Sequence, residues 1–179
     1  QDVKNMLGNV SLMLHAHMPY CKKSGVWPAG EEWLFEAMNE TYVPLLSIFR
    51  SFQRQNLRPR IMMGVVPILA EQLSDSYMID RYCEYTEDKI KRAREDAQRF
   101  NSQPEKKAVA EFWAGFYQRN YEAFKSTFHK DIMGTLKWLH EEKIIEVLTS
   151  AATHGFLPLL ERDSAIYSQI ELGIRTCEK

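Results

Sequence analysis

The chain has 179 residues, of which 45% are hydrophobic and 26% are charged, and its net charge is −1. This length allows one domain with a substantial core. The near balance of charges argues against nucleic acid or an anionic membrane as the partner. No apolar stretch approaches the roughly 20 residues that span a bilayer. Three cysteines far apart in sequence, without zinc spacing, predict reduced thiols in the cytoplasm.

The first predicted strand, residues 9–14, is apolar with little alternation, which is typical of a parallel strand buried on both faces. It leads into His15 and His17, just before Pro19 ends the strand. Residues two apart in a strand point to the same face, so the two imidazoles are expected to project together. Residues 21–30 contain two glycines and a proline and predict a loop.

Helical periodicity follows over residues 31–55, with a break expected near residues 41–43 and Pro44 in the first turn of a second helix. Residues 60–69 predict a second strand that runs into a loop or helix at Pro67. A charged helix is expected over residues 80–100.

A long helix is predicted over residues 105–128, and we interpret its apolar stripe as core. The stripe consists of Val109, Phe112, Phe116 and Phe124. Asp131 can cap the next helix, which is expected to end near residue 142. Residues 144–149 then predict a third strand, and His154 follows it.

This alternation of strands and helices favours an α/β fold with a parallel sheet. In such folds the functional groups gather at the carboxyl ends of the strands. His15 and His17 end the first strand, His154 follows the third, and Glu71 lies near the end of the second. The sequence therefore predicts one group of polar side chains at this edge of the sheet.

Three interpretations of the histidines remain open at this point. They could satisfy buried backbone groups at strand ends, or neutral imidazoles could bind a metal ion such as zinc. The third interpretation is a carbohydrate site, in which the histidines form hydrogen bonds and Trp27 offers an aromatic face to the sugar. Trp27 could equally be a loop anchor.

Four motifs resemble glycoside hydrolase family 57, and most of all its α-1,4-glucan branching enzymes. In chain order they are L-H-A-H-M-P-Y at 14–20, W-P-A-G-E-E-W-L-F-E-A at 27–37, E-T-Y-V-P-L-L at 40–46 and A-T-H-G-F-L-P-L-L at 152–160. Together they cover nearly the whole chain. The resemblance implies that residues 1–179 form the N-terminal portion of an incomplete TIM-like (β/α)7 barrel, with parallel strands and helical crossovers.

The resemblance also implies a retaining mechanism, an α-glucan substrate (glycogen, amylose or a maltooligosaccharide) and no metal or organic cofactor. It gives His15, His17 and His154 roles at the sugar ring next to the scissile bond, and it places Trp27 along the same subsite. Glu71 is carried over as a carboxylate that supports the site.

The sequence departs from the family in its catalytic carboxylates. A retaining enzyme needs a nucleophile and an acid/base, and neither of the corresponding motifs occurs in these 179 residues. Glu171 and Glu178 do not lie in the expected context, so we assign no catalytic residue and expect the chain to be inactive alone. The alternatives are a noncatalytic α-glucan-binding module and a metal-dependent deacetylase-like hydrolase.

An incomplete barrel exposes a strand edge and the inner faces of its helices. We therefore expect the chain to associate with itself or to pair with a C-terminal part of the barrel.

Overall fold

The computed structural model describes residues 10–178. Its sheet has three parallel strands in the order β1 (Met13–Ala16), β2 (Ile61–Val65) and β3 (Ile145–Leu148). Within residues 10–178, seven α-helices connect and follow the strands: α1 (Glu31–Ala37), α2 (Val43–Arg54), α3 (Pro67–Leu73), α4 (Ser76–Arg99), α5 (Pro104–Glu122), α6 (Ile132–Glu141) and α7 (Asp163–Cys177). The predicted α/β class, with parallel strands and helical crossovers, is confirmed.

The sheet is covered by helices on one face only, as far as the described residues show. Ala16, Met63 and Val65 point into the core, where they pack with buried side chains of α1, α2, α3 and α6. On the opposite face, Met13 is 53% exposed and its register partner Met62 is only partly buried. The prediction of a first strand buried on both faces is therefore wrong.

The boundaries of the first strand also differ from the prediction. Asn9 lies outside the described residues, Val10 and Leu12 are exposed, and pairing with β2 extends through Ala16. Continuous apolar sequence shows that a segment avoids water, but it does not show whether one face or both faces are covered.

The break expected near residues 41–43 is absent, since the backbone of Ala37, Met38, Tyr42 and Val43 stays α-helical and only the hydrogen-bonding pattern changes. One π-helical turn, Met38–Tyr42, separates α1 from α2, and Pro44 lies in the first turn of α2. The buried Asn39 in this turn donates to the Thr86 hydroxyl and accepts from the Tyr82 hydroxyl, at 3.0 Å each. Its backbone carbonyl accepts from the Asn120 amide at 2.7 Å. This network joins the turn to α4 and α5 because each of its buried polar groups has a partner.

Helices α4 and α5 form a long antiparallel hairpin. The Asp75 side chain caps α4 by accepting from the backbone N–H of Met78, so the helix begins four residues before the predicted start. The interpretation of the α5 stripe as core is wrong for Val109 and Phe112, which are each 58% exposed. Phe124, in a π-helical turn that follows α5, is buried as expected.

The cap predicted for the last helix before β3 is present, since the Asp131 carboxylate accepts from the backbone N–H of Gly134 at 2.7 Å. Between residues 10 and 178, we find no helix with the length and apolar character needed to cross a bilayer.

Candidate functional site

Three imidazole rings lie side by side at the carboxyl ends of β1 and β3. The ring centroid of His154 is 4.8 Å from that of His15 and 4.7 Å from that of His17, and the His15 and His17 centroids are 6.3 Å apart. All three side chains are exposed, whereas Ala16 and Met18 between and beside them are buried. The alternation of the extended chain therefore directs both β1 histidines to the open face of the sheet.

The neighbouring strand leaves room for this cluster. Gly64 of β2 pairs with His15, and a Cβ atom at Gly64 would lie 3.3 Å from the His15 Nδ1 atom. Any larger side chain at this position would press on the ring. His154 has a φ angle of +58°, in the left-handed region that non-glycine residues rarely adopt. Such backbone strain is frequent at functional sites.

A buried glutamine fixes the turn that follows His17. The Gln72 side chain of α3 accepts from the backbone N–H groups of Cys21 at 2.6 Å and of Lys22 at 3.3 Å. Its amide nitrogen donates to the Pro19 carbonyl at 3.0 Å and to the Ile68 carbonyl at 3.1 Å. One side chain thus supplies hydrogen-bond partners to three residues of the turn and ties the turn to α3.

The loop that carries His154 is held from two sides. The Ile68 N–H at the start of α3 donates to the Ala152 carbonyl at 3.0 Å, and the Ala152 N–H donates to the Gln169 carbonyl of α7 at 2.9 Å. Gly173 lets α7 approach closely, since a Cβ atom there would lie 2.3 Å from the Ser150 carbonyl oxygen. The loop therefore lies in a narrow space between α3 and α7.

Trp27 lies at 73% exposure in the loop between β1 and α1. This loop closes on itself, because the Gly25 carbonyl accepts from the N–H of Glu31 at 3.0 Å. Gly30 is required there, since a Cβ atom at this residue would lie 2.1 Å from the same carbonyl oxygen. The exposure of the indole is that expected of a contact surface and not of a buried anchor.

Glu71 lies on α3, one residue before Gln72, and its side chain is exposed. Its carboxylate accepts from the Thr176 hydroxyl of α7 at 3.5 Å. The structure thus brings His15, His17 and His154 into direct ring contact, places Trp27 on the loop that follows β1, and places Glu71 at the contact between α3 and α7.

Partial burial and the two neighbouring rings favour the neutral form of His17. The pKa of His17 is lowered from its ordinary value by desolvation first, and then by the proximity of His154 and of His15. Within residues 10–178, no group of three or more His, Cys, Asp or Glu side chains has a geometry that could hold a metal ion.

Sequence reasoning missed the residues that support the cluster from behind. Gln72, Gln169, Gly64 and Gly173 act through hydrogen bonds or close approaches to residues distant in sequence. The one available signal was Gln72 itself, a polar residue in the apolar P-I-L-A-E-Q-L segment, where burial requires partners.

The fold and the position of the histidine cluster are features of a known class of protein. A parallel sheet with helical crossovers, and with polar groups gathered at the carboxyl ends of its strands, is typical of α/β enzymes of the barrel and doubly wound types. The sequence model of glycosyl hydrolase family 57 matches residues 11–179, and the chain belongs to this family.

The similar proteins include enzymes of two named activities. The 1,4-alpha-glucan branching enzyme of Thermococcus kodakarensis is 44% identical over 174 residues, which are 97% of this chain and 25% of that protein. The crystal structure of a GH57-type branching enzyme from Pyrococcus horikoshii has 41% identity and a TM-score of 0.92, over 97% of this chain and 32% of that one. The crystal structure of the alpha-amylase AmyC of Thermotoga maritima has 30% identity and a TM-score of 0.86, over 97% of this chain and 33% of that one.

The chain thus spans a quarter of that curated relative and about a third of the two solved structures.

Replacing Gln72 by Ala should lower the free energy of unfolding by about 1–3 kcal/mol, because the N–H of the fully buried Cys21 loses its acceptor. Denaturant titration measures the loss, and amide hydrogen exchange should show faster exchange at Cys21 and Lys22. Gln98→Ala, at an exposed position of α4, is the matched control. A Gln72→Ala protein as stable as this control would contradict the assignment.

Replacing His154 by Asn should raise the pKa of His17 toward its ordinary value, because one of the groups that oppose its protonation is removed. NMR titration of the imidazole resonances measures this pKa. His129→Asn, at an exposed turn position with a φ of +52°, serves as the control and should leave the His17 pKa unchanged. An unchanged His17 pKa in His154→Asn would show that the two rings are not coupled.

The lowered pKa of His17 also makes the stability of the protein depend on pH. The folded protein binds the His17 proton less tightly than the unfolded chain does. The contribution of His17 to stability is therefore present above pH 6.5 and is lost as the pH falls through the lowered folded-state pKa.

Proposed function

We propose that residues 1–179 form the N-terminal part of the catalytic barrel of an α-1,4-glucan-active family 57 enzyme of the branching type, and that they supply part of its sugar-binding wall. The observation that carries this proposal is the cluster of His15, His17 and His154 on the open face of the sheet. The branching enzymes among the similar proteins support the choice of α-glucan as the substrate class.

The one-sided sheet supports a place in a barrel wall. In a barrel of parallel strands, helices cover the outer face, and the inner face is closed by strands from the rest of the barrel. Helices cover the core face here, while Met13, His15 and Glu146 lie exposed on the strands. The histidines lie at the carboxyl end of this open face, which is the end where barrel enzymes hold their active sites.

The chemistry of the cluster suits a sugar. A neutral imidazole has one N–H donor and one acceptor nitrogen, and the cluster places three imidazole rings within reach of the hydroxyl groups of one glucose unit. Trp27 can pack its exposed indole on the apolar face of a sugar ring. We assign Glu71 a supporting role at the α3–α7 contact, since it accepts from Thr176.

The catalytic step requires more than this wall. A retaining enzyme needs two carboxylates about 5–5.5 Å apart, one of them a nucleophile that forms a glycosyl-enzyme intermediate. In a branching reaction a sugar 6-hydroxyl attacks this intermediate in place of water. Since neither carboxylate motif occurs in these 179 residues, the chain alone is proposed to bind glucan without turning it over.

The thiols of Cys21, Cys83 and Cys177 are all free in the structure. Free thiols support a reducing compartment, and we propose that the enzyme works in the cytoplasm.

The purified chain should bind maltoheptaose, and His17→Ala should weaken this binding, because a hydrogen-bonding ring is removed from the cluster. Calorimetric titration measures the affinity. In parallel, amylose incubated with the chain should show no change in iodine staining and no new reducing ends. His129→Ala, outside the cluster, is the control.

Clear turnover by the isolated chain would refute the proposed inactivity, and equal binding by His17→Ala and the unchanged chain would refute the proposed site. A noncatalytic α-glucan-binding module is the second candidate, favoured by a polar cluster without a catalytic carboxylate motif. Adding the remaining barrel segment of the branching enzyme from Thermococcus kodakarensis distinguishes the binding module from part of a catalytic barrel. Restored branching activity favours the catalytic barrel.

We further propose that the exposed sheet face and α7 lead the chain to associate with itself or with a C-terminal barrel part. Leu172 and Ile174 of α7 are 52% and 49% exposed, and Met13 is exposed on β1. Exposed apolar side chains are enriched at interaction sites when they form a patch.

Sedimentation velocity at increasing concentration should show dimers or larger species, and Leu172→Lys should shift the population toward monomer, because a charge would be buried in the contact. Leu57→Lys, which is 49% exposed in the turn between α2 and β2, is the matched control. A monomer at every concentration would contradict the proposed association.

A further inference from the structure

A second candidate binding surface lies on the α4–α5 hairpin. An open groove runs between the two helices; its α4 side carries charged side chains, and its α5 side carries aromatic side chains together with Glu105 and Lys106. Trp113 and Tyr117 of α5 form the aromatic wall, and Lys89, Arg92 and Asp96 of α4 form the charged wall. We call this surface the hairpin groove.

The aromatic wall contains two stacked rings. The rings of Trp113 and Tyr117 stack with centroids 5.6 Å apart and an angle of 30° between their planes. Trp113 is 37% exposed, although three other aromatic residues, Phe112, Phe116 and Tyr117, lie on the same two turns of helix. Phe116 packs edge-on against Trp113 at 5.4 Å and supports the indole from the helix side.

The charged wall makes an apolar partner unfavourable. A hydrophobic helix or a second copy of this chain that covers Trp113 would remove Arg92 and Asp96 from water. The desolvation free energy of these charges would exceed the attraction that they gain from ion pairs. Arg92 is already paired with Asp88 at 2.6 Å, with most of its side chain exposed, so it keeps free N–H donors.

The mixture of charges also argues against a highly charged ligand. The groove is lined by the basic Lys89, Arg92 and Lys106 and by the acidic Asp96 and Glu105, so it has no field of one sign that would attract a phosphate backbone. A neutral chain with many hydroxyl groups matches both walls, since its ring faces can pack on the indole and its hydroxyls can bond to charged donors and acceptors.

We propose that the hairpin groove is a second α-glucan-binding site, in which a maltooligosaccharide packs on Trp113 and Tyr117 and forms hydrogen bonds to the α4 wall. The choice of ligand class depends on the proposed function, whereas the location does not. Such a site would hold one part of a long glucan on the hairpin while another part occupies the histidine cluster, and it would raise the effective concentration of the chain at the cluster.

The test is calorimetric titration of maltoheptaose into the unchanged chain, His17→Ala, Trp113→Ala and the double variant. His17→Ala should retain one class of binding, and adding Trp113→Ala should weaken that remaining binding by about tenfold, since aromatic anchors commonly contribute most at binding sites. Tyr167→Ala, an exposed aromatic residue on α7 at 67% exposure, should leave both sites unchanged. Cellohexaose, a straight β-linked chain of glucose, serves as the control ligand.

Each outcome distinguishes the two proposals. Residual binding in His17→Ala that Trp113→Ala does not weaken, or the absence of residual binding, overturns the groove and leaves the histidine site intact. Loss of all binding in Trp113→Ala, with none lost in His17→Ala, supports the groove and overturns the histidine site. Equal affinity for cellohexaose overturns the α-glucan class, and a shift from dimer to monomer in Trp113→Ala without an effect on glucan binding identifies the groove as a contact between copies.

Discussion

The site depends on the position of α3, which holds both loops that carry the histidines. The helix begins directly after β2, and the N–H groups of its first turn have no partner within the helix. Pro67 has no N–H, and the N–H of Ile68 donates to Ala152, close to His154. One turn later, Gln72 binds the segment that follows His17. A backbone N–H group that has no partner within the first turn of the helix therefore holds a loop in place through a hydrogen bond.

Close approaches between backbones keep this arrangement narrow. Gly173 allows α7 to lie against Ser150, and Gly64 leaves space beneath the ring of His15. A side chain at Gly173 would meet a backbone carbonyl, which cannot move aside as a flexible side chain can. The space available to the loop between α3 and α7 is therefore set by the absence of a Cβ atom. Hydrogen bonds alone would leave the loop free to shift.

Much of the fold could be predicted because its signals are local. Pro44 lies in the first turn of α2, Asp131 caps α6, and the spacing of His15 and His17 places both rings on one face. The meeting of these rings with His154 also followed from a general property of parallel sheets, whose carboxyl strand ends lie along one edge.

The features that could not be predicted depend on what each surface packs against. The stripe that includes Phe112 has the periodicity of a core helix, but α4 covers only part of α5 and leaves this residue exposed. Periodicity reports which residues share a helix face, not whether another element covers that face. The same limit applies to β1, whose apolar sequence is compatible with one covered face or two. Gln72 was missed because its partners in the turn after His17 are 50 or more residues away in sequence.

The open sheet face and the histidine cluster are two results of one backbone alternation. Ala16 and Met18 must point into the core, so His15 and His17 must point to the opposite face, and a slip of one residue would exchange the two pairs. The polarity of the open face consequently increases along β1, from the apolar Met13 to the imidazole rings at the carboxyl end. A structure that covers this face can pack tightly near Met13. It must leave the polar rings a hydrogen-bonding partner, because buried imidazoles without one would destabilise the assembly. The face therefore favours closure at one end and a polar, accessible cavity at the other.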